Sequence, residues 1–343
     1  MFRLTFTSRL VVAAVSGAIL AASALGLSLG HGSSASAART PQTGVVVINT
    51  NLAYQNGAAA GTGIVLSSSG LVLTNNHVIR GATAIHVTDV SDGRTFSATV
   101  VGYDVTHDIA LVKVKNPSGL KTATVGNSSN VKVGDRVTAV GNAGGTGTLT
   151  VSTGALTRLH QSITVSDDEG NSSQLGDLLE TSASLEPGDS GGPLLDGSGR
   201  VVGVDSAGSG GSRYQLDSGD GFAIPINTAV SIAKQIQSGH RSATVHVGPT
   251  AFLGVSVGQA GYVGQAASGA VVGGVVPGSA ADQAGIEAGD VITSLAGHAV
   301  TSPTSLQRLV LQVSPGGAVV IGWVDEYGNA SSATVHPQSG PPQ

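Results

Sequence analysis

The sequence predicts a mainly β protein in which a large all-β domain precedes a small α+β domain. Glycine supplies 51 of the 343 residues, about twice its average share of roughly 7%, as in chains with many tight turns. Short β-branched runs recur between these turns, which is typical of β-barrels and β-sandwiches. A length of 343 residues leaves room for two domains and a targeting segment.

The amino-terminal residues 1–37 are predicted to be a signal peptide. Arg3 and Arg9 precede an uncharged stretch over residues 10–30, and the small residues ASA at 35–37 offer a cleavage site. The alternative is that residues 10–30 stay as a membrane anchor, because about 20 apolar residues can cross a bilayer. In either case we expect the rest of the chain to be exported, as a secreted or cell-envelope protein.

Residues 38–240 carry the strand patterns of the large domain. The predicted strands lie at residues 45–48, 63–66, 71–74, 84–87, 96–101, 109–114, 136–140, 149–156, 201–205 and 221–225. One helix is predicted between Asn227 and Gly239, where apolar residues recur at helical spacing. Many short strands with a single helix at the end favour a barrel or a sandwich.

A second domain is predicted over residues 251–336, after a linker at residues 241–250. Its strand patterns lie at residues 252–257, 270–276, 291–295 and 318–324, with short helices near residues 280–284 and 305–312. The tail at residues 337–343 is rich in proline and glycine and is expected to be disordered.

Composition excludes several classes of function. Charged residues make up 11% of the chain and the net charge is −5, which argues against a nucleic-acid partner. The absence of cysteine excludes disulfides, thiol catalysis and cysteine-type zinc sites. The acidic groups at residues 167–169 and 217–220 are interpreted as solvated carboxylates, so neither a metal nor a cofactor is assigned.

The sequence GDSGGP at residues 188–193 is a candidate nucleophile turn. Glycines around Ser190 allow a tight turn that exposes its hydroxyl and directs the amides of Gly188 and Ser190 inwards. Two such amides form an oxyanion hole, which stabilises charge that develops in the transition state. The alternative is an ordinary Ser-Gly turn, of which this chain has many.

A serine nucleophile needs a base, and the base needs an orienting carboxylate. His77 lies where the strand pattern LVLT ends and a turn begins. Asp108 directly precedes the apolar run at residues 109–114, where an unpaired charge is costly. Asp104 is the rival carboxylate, although its Gly-Tyr context fits a turn better. The order His77, Asp108, Ser190 is that of chymotrypsin-like enzymes.

These motifs together resemble the secreted HtrA-type serine proteases of actinobacteria, which join a chymotrypsin-like double β-barrel to one PDZ domain. The resemblance spans about residues 44–335 and rests on TNNHVI at 74–79, DIAL at 108–111, GDSGGP and GFAIP at 221–225. It implies that His77 is the general base, Asp108 the orienting acid and Ser190 the nucleophile. By the same resemblance, the amides of Gly188 and Ser190 form the oxyanion hole.

One residue departs from the family pattern. Many HtrA-type proteins have asparagine where this chain has Asp189. Asp189 instead resembles trypsins, in which the equivalent aspartate pairs with a freed amino terminus. The sequence shows no such new amino terminus, so the partner of Asp189 and an activation by cleavage stay open.

The resemblance also implies a primary specificity pocket formed by residues before the nucleophile and by the strand after it. The predicted lining residues are Ser184, Leu185, Val204, Asp205, Ser206 and Ala207. Ser184 stands where trypsins carry the aspartate that binds lysine or arginine, so we expect cleavage after small or medium aliphatic residues. Asp205 is the exception to an uncharged pocket, and strand alternation can turn its side chain away.

The sequence FLGV at residues 252–255 resembles the carboxylate-binding loop and following strand of PDZ domains. Phe252, Leu253, Gly254 and Val255 are therefore predicted to bind peptides with apolar ends by β-augmentation. Peptide binding is expected to change protease activity through a polar loop predicted at residues 160–176. The alternative is that Phe252 and Val255 are core residues only.

The predicted function is that of an exported serine endopeptidase that cleaves unfolded or misfolded proteins. Its expected partners are polypeptide substrates and peptides at the PDZ groove. The alternative is a PDZ-based binding or holdase-like protein with a weak or inactive protease domain, which the intact His, Asp and Ser disfavour. A homo-oligomer, a trimer by family analogy, is also expected, although residues 38–52 lack the aromatic residue that often supports it.

Overall fold

The structure, a computed structural model, describes residues 41–166, 172–208, 221–258 and 268–343. Residues Arg39–Gln343 cluster as one compact unit. The predicted signal peptide, and with it the alternative anchor at residues 10–30, lies outside the described residues. Within the described ranges, no helix has the length and apolar character needed to cross a membrane.

Six antiparallel strands close the first barrel. They are β1 (Val45–Leu52), β2 (Gly57–Ser67), β3 (Leu71–Thr74), β4 (Ala84–Asp89), β5 (Arg94–Asp104) and β6 (Ile109–Val114). Their order is β5-β4-β1-β2-β3-β6, and β6 pairs back with β5. The short helix α1 (Asn76–Ile79) follows β3.

A second closed barrel follows, with the order β10-β11-β12-β9-β8-β7. Its strands are β7 (Arg136–Gly141), β8 (Thr150–Ser166), β9 (Ser172–Thr181), β10 (Pro193–Asp196), β11 (Val201–Gly208) and β12 (Gly221–Pro225). Helix α2 (Ile226–Gln237) comes directly after β12, close to the helix that the sequence predicts. The predicted double barrel is therefore confirmed.

Side-chain alternation explains why so many strands of both barrels are apolar on both faces. In the first barrel, Ile48 and Val72 face an interior cluster to which all six strands contribute. Ile64 and Leu111 face the opposite way and join a core shared with the second barrel and α2. The site described below lies on strand ends and turns that this shared core holds in place.

Residues 160–176 do not form the polar loop that the sequence suggests. Strand β8 continues to Ser166 and β9 begins at Ser172, so the two strands make a long hairpin whose tip lies outside the described residues. Ile163 and Leu175 are buried in the shared core. The prediction of a loop is wrong because most residues of this segment are polar, so the alternation of apolar and polar positions that marks a strand was not recognised.

The predicted linker at residues 241–250 is also ordered. Strand β13 (Val245–Val247) pairs with β5 and adds a seventh strand to the first sheet. His246 is buried on this strand, and its Nδ1 lies 3.2 Å from the carbonyl oxygen of Leu311 in the following domain. A three-residue strand carries too short a pattern to be separated from a linker in the sequence.

The carboxy-terminal domain is the small α+β unit that the sequence predicts. Its elements are β14 (Thr250–Phe252), β15 (Val255–Gly258), β16 (Ala270–Val275), α3 (Ala280–Gln283), β17 (Val291–Leu295), β18 (His298–Ala299), α4 (Pro303–Val310), β19 (Val319–Val324), β20 (Ala330–Val335) and β21 (Gln338–Gly340). The main sheet has the order β15-β16-β17-β19-β20. Ser302 begins α4 with a capping box, since its hydroxyl accepts from Ser305 N and the Ser305 hydroxyl accepts from Ser302 N.

The tail at residues 337–343 is not disordered. Strand β21 pairs with β14 in an antiparallel ladder, and the last residues continue onto the first barrel. Asn76 Nδ2 donates to the Gln343 carbonyl at 3.0 Å, and Gln343 N donates to the Tyr103 hydroxyl at 3.2 Å. The prediction of disorder is wrong because the partners of this tail lie far away in the sequence, where composition gives no signal.

Candidate active site

His77 and Asp108 come together because β3 and β6 are neighbouring strands. The register pairs Thr74 with Ala110, so the turn after β3 lies beside the residue before β6. The carbonyl of Asp108 accepts from Asn75 Nδ2 at 2.8 Å and from Asn76 N at 3.2 Å. Asp108 itself has a φ of 53°, an unusual value for a residue other than glycine that these bonds hold in place.

The Asp108 carboxylate accepts three hydrogen bonds. Its Oδ2 lies 2.7 Å from His77 Nδ1, and its Oδ1 accepts from the backbone N of His77 at 2.9 Å. The hydroxyl of Ser206 donates to Oδ2 at 2.8 Å. With Nδ1 committed to the carboxylate, His77 keeps Nε2 as the nitrogen that can accept a proton.

Ser190 joins the same network from the second barrel. Its Oγ donates to the carbonyl of Ser206 at 3.3 Å, and its own carbonyl accepts from Thr62 N of the first barrel at 2.8 Å. Among the described residues, the Ser190 hydroxyl makes no hydrogen bond to His77. Hydrogen bonds between nucleophile and base are often long before substrate binds.

The amides of Gly188 and Ser190 are available to a ligand. Neither amide donates a hydrogen bond within the described part of the chain, whereas the Gly188 carbonyl accepts from the Thr62 hydroxyl at 2.7 Å. Gly188 has a φ of 102°, and a Cβ there would collide with the carbonyl oxygen of Asn142. Only glycine fits this position. Two unpaired amides in one turn are the donors that an oxyanion hole requires.

The rival carboxylate, Asp104, has a histidine of its own. His107 Nδ1 lies 2.8 Å from Asp104 Oδ2, and Asp104 Oδ1 accepts from the backbone N atoms of Thr106 and His107. Burial alone would raise the pKa of Asp104, but the bonds and charge of His107 lower it overall. The same bond raises the pKa of His107. This pair closes the turn between β5 and β6 rather than orienting His77.

The structure separates the predicted pocket residues into different environments. Leu185 is buried in the interior of the second barrel, whereas Ser184 is exposed. Val204, also predicted to line the pocket, packs in the core shared by the two barrels. Ser206 binds Asp108 instead, a role that the sequence did not reveal. The side chain of Ala207 lies outside the described residues.

Asp189 and Asp205 are buried carboxyl groups that form no ion pair with a cation in the part of the chain that the structure describes. Both oxygens of Asp205 and Oδ1 of Asp189 have no hydrogen-bond partner among the described residues. Burial raises the pKa of Asp205 well above its ordinary value, and the charge of Asp189 raises it further. Burial also raises the pKa of Asp189. No group of three or more acidic or histidine side chains suited to a metal occurs in the described ranges.

The predicted peptide-binding loop lies between β14 and β15. Phe252 ends β14 and its ring stacks on Tyr54 of the first barrel, with ring centroids 4.9 Å apart. Leu253 is buried in the core of this domain, and Val255 begins β15. The amides of Leu253 and Gly254 donate no hydrogen bond among the described residues. Free amides beside an end strand are what capture of a peptide carboxylate requires.

Comparison with known proteins identifies both domains. A trypsin-like peptidase domain matches residues 61–204, and a PDZ domain matches residues 271–324. The serine protease PepD of Mycobacterium tuberculosis is 35% identical over 304 residues, which are 85% of this chain and 63% of PepD. The periplasmic pH-dependent serine endoprotease DegQ of Escherichia coli is 36% identical over 278 residues, 76% of this chain and 56% of DegQ.

Among solved structures, the HtrA-type protease AlgW with a tripeptide matches with a TM-score of 0.49 and 28% identity, over 88% of this chain and 95% of that chain. The chain spans less than two thirds of the length of PepD and DegQ. The two domain matches and the similarity to PepD and DegQ confirm the resemblance found in the sequence. The chain is a homologue of the HtrA-type serine proteases, with a trypsin-like peptidase domain followed by a PDZ domain.

Proposed function

We propose that the protein is an exported serine endopeptidase that hydrolyses unfolded or misfolded polypeptides with His77, Asp108 and Ser190. One observation carries the proposal. Ser206 links the nucleophile and the acid, because its hydroxyl donates to Asp108 while its carbonyl accepts from Ser190. His77, bonded to the same carboxylate, completes one continuous network across the two barrels.

In this mechanism the hydroxyl oxygen of Ser190 attacks a peptide carbonyl, and His77 Nε2 takes its proton. Asp108 stabilises the imidazolium that forms, while the amides of Gly188 and Ser190 donate to the oxyanion. The tetrahedral intermediate collapses as His77 returns the proton to the leaving amine, which leaves an acyl-enzyme. Water then attacks the ester with His77 as base, and Ser190 leaves as a hydroxyl.

The substrate and partner proposals follow from the two domains. Cleavage after small or medium aliphatic residues fits a buried Leu185 and an uncharged Ser184. Leu253 and Gly254 offer free amides to a peptide carboxylate, and β15 is an end strand of the described sheet. An extracytoplasmic location agrees with relatives that are named periplasmic. A homo-oligomer stays a prediction.

The protease proposal is tested by digesting one carrier protein in its native and its denatured form. We expect cleavage of the denatured form, little cleavage of the native form, and none by the Ser190→Ala variant. Fragment ends read by mass spectrometry should follow alanine, valine or leucine. Activity that survives in Ser190→Ala protein would reject the triad, and fragments that end in lysine or arginine would reject the pocket.

The peptide-binding proposal has a separate test. A labelled peptide with an apolar carboxyl end should bind the full chain in fluorescence anisotropy and change its rate of hydrolysis. The Gly254→Val variant should lose this binding, because φ is 83° there and a Cβ would collide with Ser279. Equal binding by a peptide with an amidated end would contradict capture of a carboxylate.

A further inference from the structure

Asp189 and Asp205 lie next to each other through the backbone of the nucleophile turn. Gly191 N donates to the Asp205 carbonyl and Asp205 N donates to the Gly192 carbonyl, both at 2.8 Å. Asp189 belongs to the same turn, since its carbonyl accepts from Gly192 N at 2.9 Å and its Oδ2 accepts from Glu186 N at 2.9 Å. These bonds hold the backbone of Asp205 against the turn that carries Ser190, and the charge of Asp189 acts on the Asp205 carboxyl group. We call them the Asp189–Asp205 pair.

Within the described ranges, no lysine or arginine forms an ion pair with Asp189 or Asp205. Among the described residues, every lysine or arginine ion pair is made with another carboxylate, such as Arg200 with Asp196 and Arg158 with Glu180. The charged neighbour of Asp189 on its own turn is Glu186, which adds to the negative potential. Strand β12, which pairs with β11 at Asp205, carries no charged residue. On the other side of Ser206 lie Asp108 and His77.

Two adjacent buried carboxylate ions are not stable in such a place. An unpaired ion in a protein interior costs several kcal/mol even after relaxation, and a carboxyl group avoids this cost by keeping its proton. Two carboxyl groups that share one site do not both ionise in the ordinary range. Asp189 has one backbone donor for its oxygens, whereas Asp205 has none. The proton therefore belongs on Asp205.

We infer that Asp205 is a protonated, neutral carboxylic acid in the working enzyme and that it positions the Gly188–Ser190 turn by keeping a second negative charge from forming beside Asp189. This inference rests on the proposed function for its effect on catalysis, but not for the charge state itself. Asp205 is a positioning residue, because it acts through the turn and does not touch the reacting atoms. When Asp205 ionises at alkaline pH, repulsion from Asp189 moves the turn and the amide of Gly188 with it.

The charge state is tested directly by infrared spectroscopy on the full chain. The inactive Ser190→Ala protein at pH 7 should show the carbonyl stretching band of a protonated carboxyl group, and the double variant with Asp205→Asn should lose it. Asp104→Asn is the matched control, because Asp104 is equally buried but has donors on both oxygens. Absence of the band at pH 7, or its survival in the Asp205→Asn protein, would overturn the inference.

The effect on catalysis is tested by pH profiles normalised to each variant's own value at pH 7. Wild-type activity should fall about tenfold or more as Asp205 ionises, since a displacement of about 1 Å at a catalytic group can cost 10²-fold. The Asp205→Asn profile should lack this alkaline decline. An unchanged alkaline decline would overturn the positioning role. Activity that does not depend on Ser190 would instead reject the proposed function and leave the infrared result standing.

Discussion

Asp108, which is partly buried, and Asp205, which is fully buried, lie close to the same residue, Ser206, but in opposite surroundings. Asp108 accepts hydrogen bonds from His77 N, His77 Nδ1 and the Ser206 hydroxyl. Asp205 is the residue next to Ser206 on the same strand, and neither of its oxygens has a donor among the described residues. The hydrogen-bond donors around a carboxyl group, and not its burial alone, decide whether it is charged. Ser206 directs its hydroxyl to Asp108, whereas no donor reaches the side chain of its neighbour Asp205 among the described residues.

Asp104 extends the comparison to a carboxyl group outside the site. It is as buried as Asp205, but it has donors from Thr106, His107 and Thr244. Its pKa is lowered where that of Asp205 is raised. Asp104 and Asp108 thus each have a histidine partner, and only Asp108 lies in the same hydrogen-bond network as the nucleophile.

The largest effect is expected from Ser190→Ala. Removing the nucleophile should lower the rate of peptide hydrolysis by about 10⁴- to 10⁶-fold, because the remaining network has no hydroxyl to activate. His77→Ala should cost a similar factor. Both rates are measured on a denatured protein substrate, with circular dichroism to show that the fold is kept. A residual rate above a few per cent would contradict the assignment.

Substitution of the two histidine-bound carboxylates should change the rate of hydrolysis by very different factors. Asp108→Asn should lower the rate by about 10⁴-fold, since the amide favours the wrong tautomer of His77. Asp104→Asn should keep the rate within about threefold, because its histidine is not part of the network. The same hydrolysis assay decides between them. The reverse ranking would show that Asp104 is the orienting acid.

Ser206→Ala is expected to have a smaller effect. It removes one of three donors to Asp108 and keeps the backbone carbonyl that accepts from Ser190. A hydrogen bond to a charged group contributes about 1.5–3 kcal/mol, so the rate should fall about tenfold to hundredfold. Ser198→Ala is the control, because Ser198 is exposed in the turn between β10 and β11 and has no part in the triad or the pocket. Equal rates for the two variants would remove Ser206 from the network.

Asp205 and Asp104 should contribute to the pH dependence of folding stability in opposite directions. The raised pKa of Asp205 means that the folded chain binds the proton more tightly, so stability falls as pH rises above the unfolded value of 3.8. Asp205→Asn should therefore raise the melting temperature by a few degrees at neutral pH and by less below about pH 4. The pKa of Asp104 is lowered, so this residue stabilises the fold above pH 3.8, and the stabilisation is lost when acid protonates it. Asp104→Asn should lower the melting temperature at neutral pH, and equal signs would contradict the comparison.

The smallest effect is expected at the end of the chain. Removing Gln343 alone deletes its hydrogen bonds with Asn76 Nδ2 and with the Tyr103 hydroxyl, and should cost about 1 kcal/mol of unfolding free energy. Replacing Ser339 with alanine is a control that keeps the backbone ladder of β21 with β14. Denaturant unfolding measures both. No difference between the two proteins would show that the end of the chain does not hold Asn76.

Those parts of the site that depend on local sequence patterns could be predicted from the sequence. His77, Asp108 and Ser190 each stand at a strand end or in a Gly-rich turn, so their roles could be predicted before their contacts were known. The roles of residues 204–206 could not, because a bulge between Asp205 and Ala207 interrupts the alternation of β11. The strands of the linker and of the tail were missed for a related reason, since their partners are distant in the chain.

The most direct measurement of the account is the rate at which a fluorophosphonate probe labels Ser190, followed by intact mass across a pH series. Wild-type protein should gain one probe, with a labelling rate that declines at alkaline pH as Asp205 ionises. Asp108→Asn should label slowly at every pH, and Asp205→Asn should label without the alkaline decline. A wild-type chain that gains no probe, or an Asp108→Asn variant that labels as fast as wild type, would contradict the account.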